Sequence, residues 1–169
     1  MEIQQKKILG DYQRFLKTIF KHLKNSRLDV SAYSIDHICY RVESQENYLK
    51  KKCELATIGQ LLTEADVNGR PISTFKLHQY ITYNNYTIPL IELPSPKQGK
   101  QYHDGLEHCE FVIDCSFEDM ILNNPKLTFK TTNKDNPRNP DISLSFENLS
   151  VKFHHQSLEF VIKDELAES

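Results

Sequence analysis

Apolar side chains recur at helical spacing from Ile8 to Leu23, through Leu9, Tyr12, Phe15, Leu16, Ile19 and Phe20, with lysines and Arg14 between them. The pattern predicts an amphipathic helix, restarted at Asp11 after Gly10. The period then changes to two. Ser34 to Val42 alternates, with Ile38, Tyr40 and Val42 on one face and His37, Cys39 and Arg41 on the other. Ser44 can cap a helix running to about Ala56, with Glu46 in its first turn. Strands are expected from Gly59 to Val67, Pro71 to Ile81 and Tyr86 to Leu93. They are separated by the hairpin signal Asn68-Gly69 and by Asn84-Asn85. The order is β-α-β-β-β.

A turn-rich linker, Pro94 to Lys100, precedes a second pass through the same order. Leu106 to Asp114 reads as a strand, Ser116 caps a short helix to Leu122, and Lys126 to Thr131 is a strand. After a polar loop, Ile142 to Phe146 and Leu149 to His155 form a hairpin. The tail from Ser157 suits either a helix or a strand. His37 and His108 stand at equivalent places in the two passes, 71 positions apart. The expected fold is therefore α+β: a helical arm over 1–30 and two fused βαβββ modules over 31–94 and 102–156, in one domain spanning 1–169. Each module leaves one sheet face open, and pairing the modules encloses a cavity suited to a ligand.

Length and composition agree with one compact domain of 169 residues. A formal charge of −2 gives no electrostatic case for nucleic acid or a membrane surface as partner. The start of the chain lacks a signal-peptide core, and no later stretch has the length of a transmembrane span, so a cytoplasmic location is expected. Cys39, Cys53, Cys109 and Cys115 form no Cys-x-x-Cys pair and read as small buried thiols.

Chemistry concentrates at the matching ends of the repeat. His37, Glu92 and His108 supply two imidazoles and a carboxylate, a donor set suited to one divalent ion: zinc, nickel, iron, cobalt or manganese. The fourth position falls to His154, which lies late in the last strand where Glu92 lies in its own module; Glu159 is the alternative. Strand parity turns Asp36 and Glu107 away from their neighbouring histidines, which leaves Glu110 as the inward carboxylate and candidate proton carrier. Arg41 shares a face with His37, and Lys76, His78 and Tyr80 share a face of the third strand. Pointing inward, they would bind a carboxylate or phosphate. Pointing outward, they are a solvated strand face.

The stretches Asp36-His37-Ile38, Asn68-Gly69-Arg70-Pro71-Ile72, Phe75-Lys76-Leu77-His78, Glu92-Leu93-Pro94, His103 with Gly105, Glu107-His108 with Glu110, and Lys152-Phe153-His154 resemble the YecM family. That family lies within the vicinal-oxygen-chelate superfamily of glyoxalases, epimerases, ring-cleaving dioxygenases and metal-free drug-binding proteins. The resemblance runs from about residue 10 to 165. It implies the vicinal-oxygen-chelate fold and the position of a metal site, but not a reaction. The chain departs from the superfamily's usual glutamate at the last ligand, where His154 stands.

Two functions follow. One is a metal-dependent enzyme on a small oxygen-rich substrate, by isomerase, epimerase or lyase chemistry, with oxygen activation at ferrous iron as a variant. The other is a non-catalytic small-molecule or metal-binding protein of the same fold. Protein interaction through the N-terminal helix is a third role, and the oligomeric state is open.

Overall fold

A computed structural model describes residues 2–67 and 69–168. Two helices open the chain, α1 (Glu2–Leu9) and α2 (Tyr12–Asn25). The break falls where the sequence places it: Gly10 takes a φ of 76°, and the Asp11 side chain accepts a hydrogen bond from Arg14 N–H. The first module follows as β1 (Ser34–Arg41), α3 (Gln45–Ala56), β2 (Gly59–Asp66), β3 (Pro71–Tyr83) and β4 (Tyr86–Pro94). The second is β5 (Gly105–Val112), α4 (Phe117–Asn123), β6 (Lys130–Asn133), β7 (Asp141–Phe146) and β8 (Leu149–His154). A final helix, α5 (Leu158–Glu168), resolves the ambiguous tail. Of the expected Asn68-Gly69 turn, Asn68 lies outside the described residues, and Gly69 has the positive φ, 78°, that such a turn requires.

One strand falls later than its expected span of Lys126 to Thr131. Asn124 ends α4, and its carbonyl accepts a hydrogen bond from Leu127 N–H. This turn delays β6 to Lys130 and leaves Leu127 and Phe129 partly buried against the core.

The eight strands form one sheet in the order β2-β3-β4-β1-β5-β8-β7-β6. Within each module the first and last strands are parallel, β1 with β4 and β5 with β8; between the modules β1 and β5 run antiparallel. This is the vicinal-oxygen-chelate arrangement of two βαβββ units. Registers align side chains into rows across the modules. Phe75, Ile91, Ile38, Cys109, Val151 and Leu144 make one row, all at most 4% exposed, on the core face. Leu16, Ile19 and Leu23 of α2, Tyr48 and Leu55 of α3 and Met120 of α4 join the same core. The N-terminal helices therefore close the core. The contiguous apolar stripe that a partner would need along residues 8–23 is consumed internally, because Ile8, Leu9, Tyr12, Phe15, Leu16, Ile19 and Leu23 are all buried.

A polar clasp locks α3 to its strands. Glu64 on β2 accepts hydrogen bonds from Tyr48 (2.7 Å) and Ser73 (2.9 Å) and pairs with Lys52. The Lys52 ammonium, then Tyr48 and Ser73, hold the Glu64 carboxyl down at about 2, against an ordinary 4.5. A depressed folded-state value contributes stability that is present above pH 4.5 and lost as pH falls toward 2. Urea midpoints at pH 7 and pH 3 should therefore fall further apart for the wild type than for Glu64→Gln.

Candidate metal centre

The opposite, polar face of the sheet carries two adjacent rows around the junction of β1 and β5. One reads Lys76, Leu90, His37, Glu110, Lys152; the next reads Thr74, Glu92, Cys39, His108, Ser150. The junction thus crosses His37 with Glu110 and places His108 one residue pair away from Ile38–Cys109. Ligand-type atoms of His37, Glu92, His108 and Glu110 all lie within 4.8 Å of one another. Asp36, His37 and His154 form an overlapping group by the same measure, as do Cys39, Glu107 and His108.

Parity alone misplaces two of these carboxylates. The pairing of β1 with β5 is irregular between Ile35 and His37, where Asp36 is extra, and between Cys39 and Tyr40, where Glu107 is extra on β5. An extra residue at a bulge breaks the alternation of faces. Asp36 therefore reaches His37 Nδ1 at 2.8 Å, and Glu107 lies 3.6 Å from His108 Nδ1. Asp36 and Glu107 are themselves 71 positions apart, so the repeat extends to a carboxylate behind each imidazole. The Asp36 hydrogen bond fixes the His37 ring and leaves its Nε2 to face the centre, whereas Glu107 stands behind the His108 ring as a nearby charge.

The register also refines the last strand. Glu92 pairs with Cys39; the residue 71 positions beyond Cys39 is Glu110, and Glu110 pairs with Lys152. Lys152 therefore holds the place that matches Glu92, two residues before His154. Val151 and Phe153 point into the core as expected. His154 is fully buried, with Nδ1 bonded to the Gln156 carbonyl and Nε2 3.7 Å from both Asp36 Oδ2 and Glu110 Oε2.

Four of the remaining sequence candidates are dispersed. Glu159 is not in the cluster: in the first turn of α5 it binds Lys76 at 2.9 and 3.0 Å and Lys163 at 2.9 Å. Lys76 is thereby occupied, and His78 is exposed. Arg41 pairs with Glu107 and lies over the ring of Tyr102, 5.3 Å from its centroid.

The donor chemistry fits a cation. Nε2 of His37, His108 and His154 is buried without a well-aligned hydrogen bond, and burial of such a group costs roughly 1–3 kcal/mol where no other group satisfies it, as at His154. His37 Nε2 and His108 Nε2 stand 3.3 and 3.0 Å from Glu110 Oε1. Two donors on one ion at about 2.0–2.2 Å are about 3.0–3.5 Å apart, so these contacts suit ligands of a shared metal. Electrostatics favours the ligand form of the carboxylates. Burial opposes the Glu110 charge, but Lys152 (2.6 Å), His37 and His108 outweigh it and hold the carboxyl well below its ordinary range. Burial likewise opposes ionisation of Glu92, and His37 with Lys152 overcomes it. Burial also opposes the Lys152 charge, but Glu110 and Glu92 raise its value and keep it an ammonium.

The centre is sealed on one side. α5 spans from Asp36, whose carboxylate accepts the Leu158 N–H at 3.0 Å, to Lys76 through Glu159, with Val161 and Ile162 buried. On the other side the Glu92 side chain is 18% exposed, against 1–5% for His37, His108 and Glu110, so solvent reaches the cluster past Glu92. A surface cavity of about 780 Å³ lies elsewhere, between α2 and the β3–β4 turn, and holds none of these donors.

A duplicated βαβββ sheet with a histidine–carboxylate cluster across its central strand pair defines a protein of the vicinal-oxygen-chelate fold with candidate metal-binding groups. Comparison with known proteins narrows this. The family model described as YecM protein matches residues 4–165, and the chain belongs to that family. It is 27% identical over 173 residues to Protein YecM of Escherichia coli (strain K12), covering 94% of this chain and 92% of that protein. It is 32% identical over 157 residues to an uncharacterised protein of Haemophilus influenzae, covering 84% and 82%. The solved structure of Protein EC4020 superposes with a TM-score of 0.79 at 26% identity, covering 96% of this chain and 93% of that one. Among the described residues, no helix is long and apolar enough to cross a membrane.

Asp36 joins the centre to α5, so its loss should loosen one without melting the other end of the sheet. In hydrogen exchange, Asp36→Ala should lower protection of the Leu158 amide and of α5, while β7 keeps its wild-type protection. Unchanged exchange in α5 would show that Asp36 does not hold the helix.

Proposed function

We propose that this chain is a divalent-metal-dependent enzyme acting on a small, oxygen-rich, anionic substrate by isomerase, epimerase or lyase chemistry. The observation that carries the reading is the set of buried, unpartnered imidazole Nε2 atoms facing ionised carboxylates at the β1–β5 junction. His37, Glu92 and His108 would hold the ion. Glu110 completes the set better than His154, because it belongs to the same four-residue group and His154 belongs to its neighbour. A bound divalent ion supplies Lewis acidity for a substrate carbonyl or similar oxygen.

The chain's own residues then have separable tasks. Asp36 orients the His37 imidazole through a hydrogen bond, and Glu107 places a negative charge behind that of His108. Lys152 keeps Glu110 ionised, which makes Glu110 a metal donor first and only a weak proton acceptor. His154 stands 3.7 Å from Asp36 and from the second oxygen of Glu110, beside the centre without hydrogen-bonding either. α5 excludes water from the His154 side, leaving the Glu92 side as the way in. If the ion kept no exchangeable water, the same residues would describe a metal-binding protein without catalysis.

Metal analysis of untagged protein purified without chelators tests the reading. About one divalent ion per chain is expected. Loading with Mn²⁺ and measuring water proton relaxation should detect bound water; stoichiometric metal without it selects the non-catalytic alternative. In metal titrations, alanine at His37, Glu92 or His108 should remove most affinity. Glu110→Gln should weaken binding more than His154→Ala, and Glu159→Ala should leave it within twofold of wild type. Wild-type affinity in Glu110→Gln with loss in His154→Ala would restore His154 as the fourth ligand.

A further inference from the structure

The buried polar atoms left without partners fall into two sets. Beside the three imidazole nitrogens there are two guanidinium nitrogens, Arg41 Nη1 and Arg70 Nε. Both arginines are otherwise anchored. Arg41 uses its Nε on Glu107, and Arg70 gives Nη1 to the Ser95 carbonyl at 2.7 Å. Anchoring one edge of each guanidinium leaves another edge free in a fixed direction, which is how such groups are pre-organised for an oxyanion.

Their place in the fold matters. Arg41 follows Cys39 by two residues on β1, and Cys39 pairs with Glu92. Arg70 is clasped to Ser95, three residues beyond Glu92, while Ser95 N–H binds the Pro71 carbonyl. Both arginines thus flank the Glu92 end of the centre, the end that solvent reaches. Tyr102 lies against Arg41 and walls this end. Lys97, on the exposed segment after β4, adds to the positive charge. Repulsion from Arg70 is the first cause of its lowered value, followed by burial and by Lys100 and Arg41. Arg70 is itself depressed by burial and then by Arg41. Among the described residues, no carboxylate lies within ion-pair distance of Arg70 or Lys97. Glu107 answers the charge of Arg41, so Arg70 and Lys97 carry positive charge without a paired carboxylate beside two guanidinium nitrogens that have no hydrogen-bond partner.

We infer that Arg41 and Arg70, with Lys97 at the rim, form a subsite for a phosphate or phosphonate group, and so admit a small phosphorylated substrate past Glu92. With Arg41 paired to Glu107 and Glu92 attracting both arginines, the excess lies on Arg70 and Lys97; a tetrahedral dianion can take donors from two separate guanidinium groups and offset it. A carboxylate has one charge and two oxygens, and would leave part of that excess in place. The inference specifies the substrate class of the proposed enzyme, but the arginines need no metal to bind an anion, and this separates the two readings.

The probe is inorganic phosphate, followed by ³¹P line broadening and by titration calorimetry on untagged full-length protein. It is measured both metal-stripped and with its measured metal content, with acetate as the carboxylate comparison. Saturable phosphate binding should persist in stripped protein. It should weaken at least tenfold in Arg70→Gln and severalfold in Lys97→Gln, which alters an exposed side chain and so guards against a folding artefact. Acetate should bind at least tenfold more weakly than phosphate. Phosphate binding in a protein that takes up no metal would retain the subsite and remove the metal enzyme. Phosphate binding unaffected by both substitutions, absent from stripped protein, or matched by acetate would overturn the subsite.

Discussion

The antiparallel pairing of β1 with β5 joins the two modules, and the donors of the candidate centre lie on these strands or on the strands paired directly with them. Backbone hydrogen bonds at this seam fix the register, and the register decides which side chains meet. A shift of one residue would exchange His37 and Glu110 for Ile38 and Cys109, turning the core outward and burying charge among apolar side chains. Hydrophobic burial of the Phe75 to Leu144 row therefore also positions the metal-type donors. The energy that holds the site comes from the other face of the sheet.

Two irregularities at that seam modify what strict alternation would produce. Asp36 and Glu107 are extra residues, and each backs the histidine that follows it. Their effect is to put two consecutive polar side chains, a carboxylate and an imidazole, toward one centre. A regular strand cannot do this. The buried carboxylates would be costly alone, and Lys152 reduces that cost by lying 2.6 Å from Glu110.

The fold was legible because its signals are local and repeated: a helical period to Leu23, alternation from Ser34, caps at Asp11, Ser44 and Ser116, and a 71-residue offset. His37, Glu92, His108 and Glu110 could be singled out from matching ends of the repeat. What escaped depends on register and on tertiary contact. Bulges are set by pairing between strands about 70 residues apart, so Asp36 and Glu107 appeared to point away. The match of Glu92 with Lys152 needs strand pairs that no single segment reveals. Whether Lys76 faces the cavity or solvent stays open in the sequence, and α5 settles its partner by supplying Glu159. Arg70 belongs to a stretch that marks a turn and the family resemblance but gives its side chain no role, and its unpartnered Nε emerges only when Ser95 is seen to hold the other edge.

The substitution of a lysine for an acid in the second module has a consequence for assembly. An exact duplication would have set a second carboxylate opposite Glu92, concentrating negative charge that only an incoming cation could relieve. Such a chain would depend on its metal to fold, as small zinc domains do. With Lys152 built into the strand, the positive charge arrives with the polypeptide. The sheet can therefore close around these acids without a cation from outside, because Lys152 already lies 2.6 Å from Glu110.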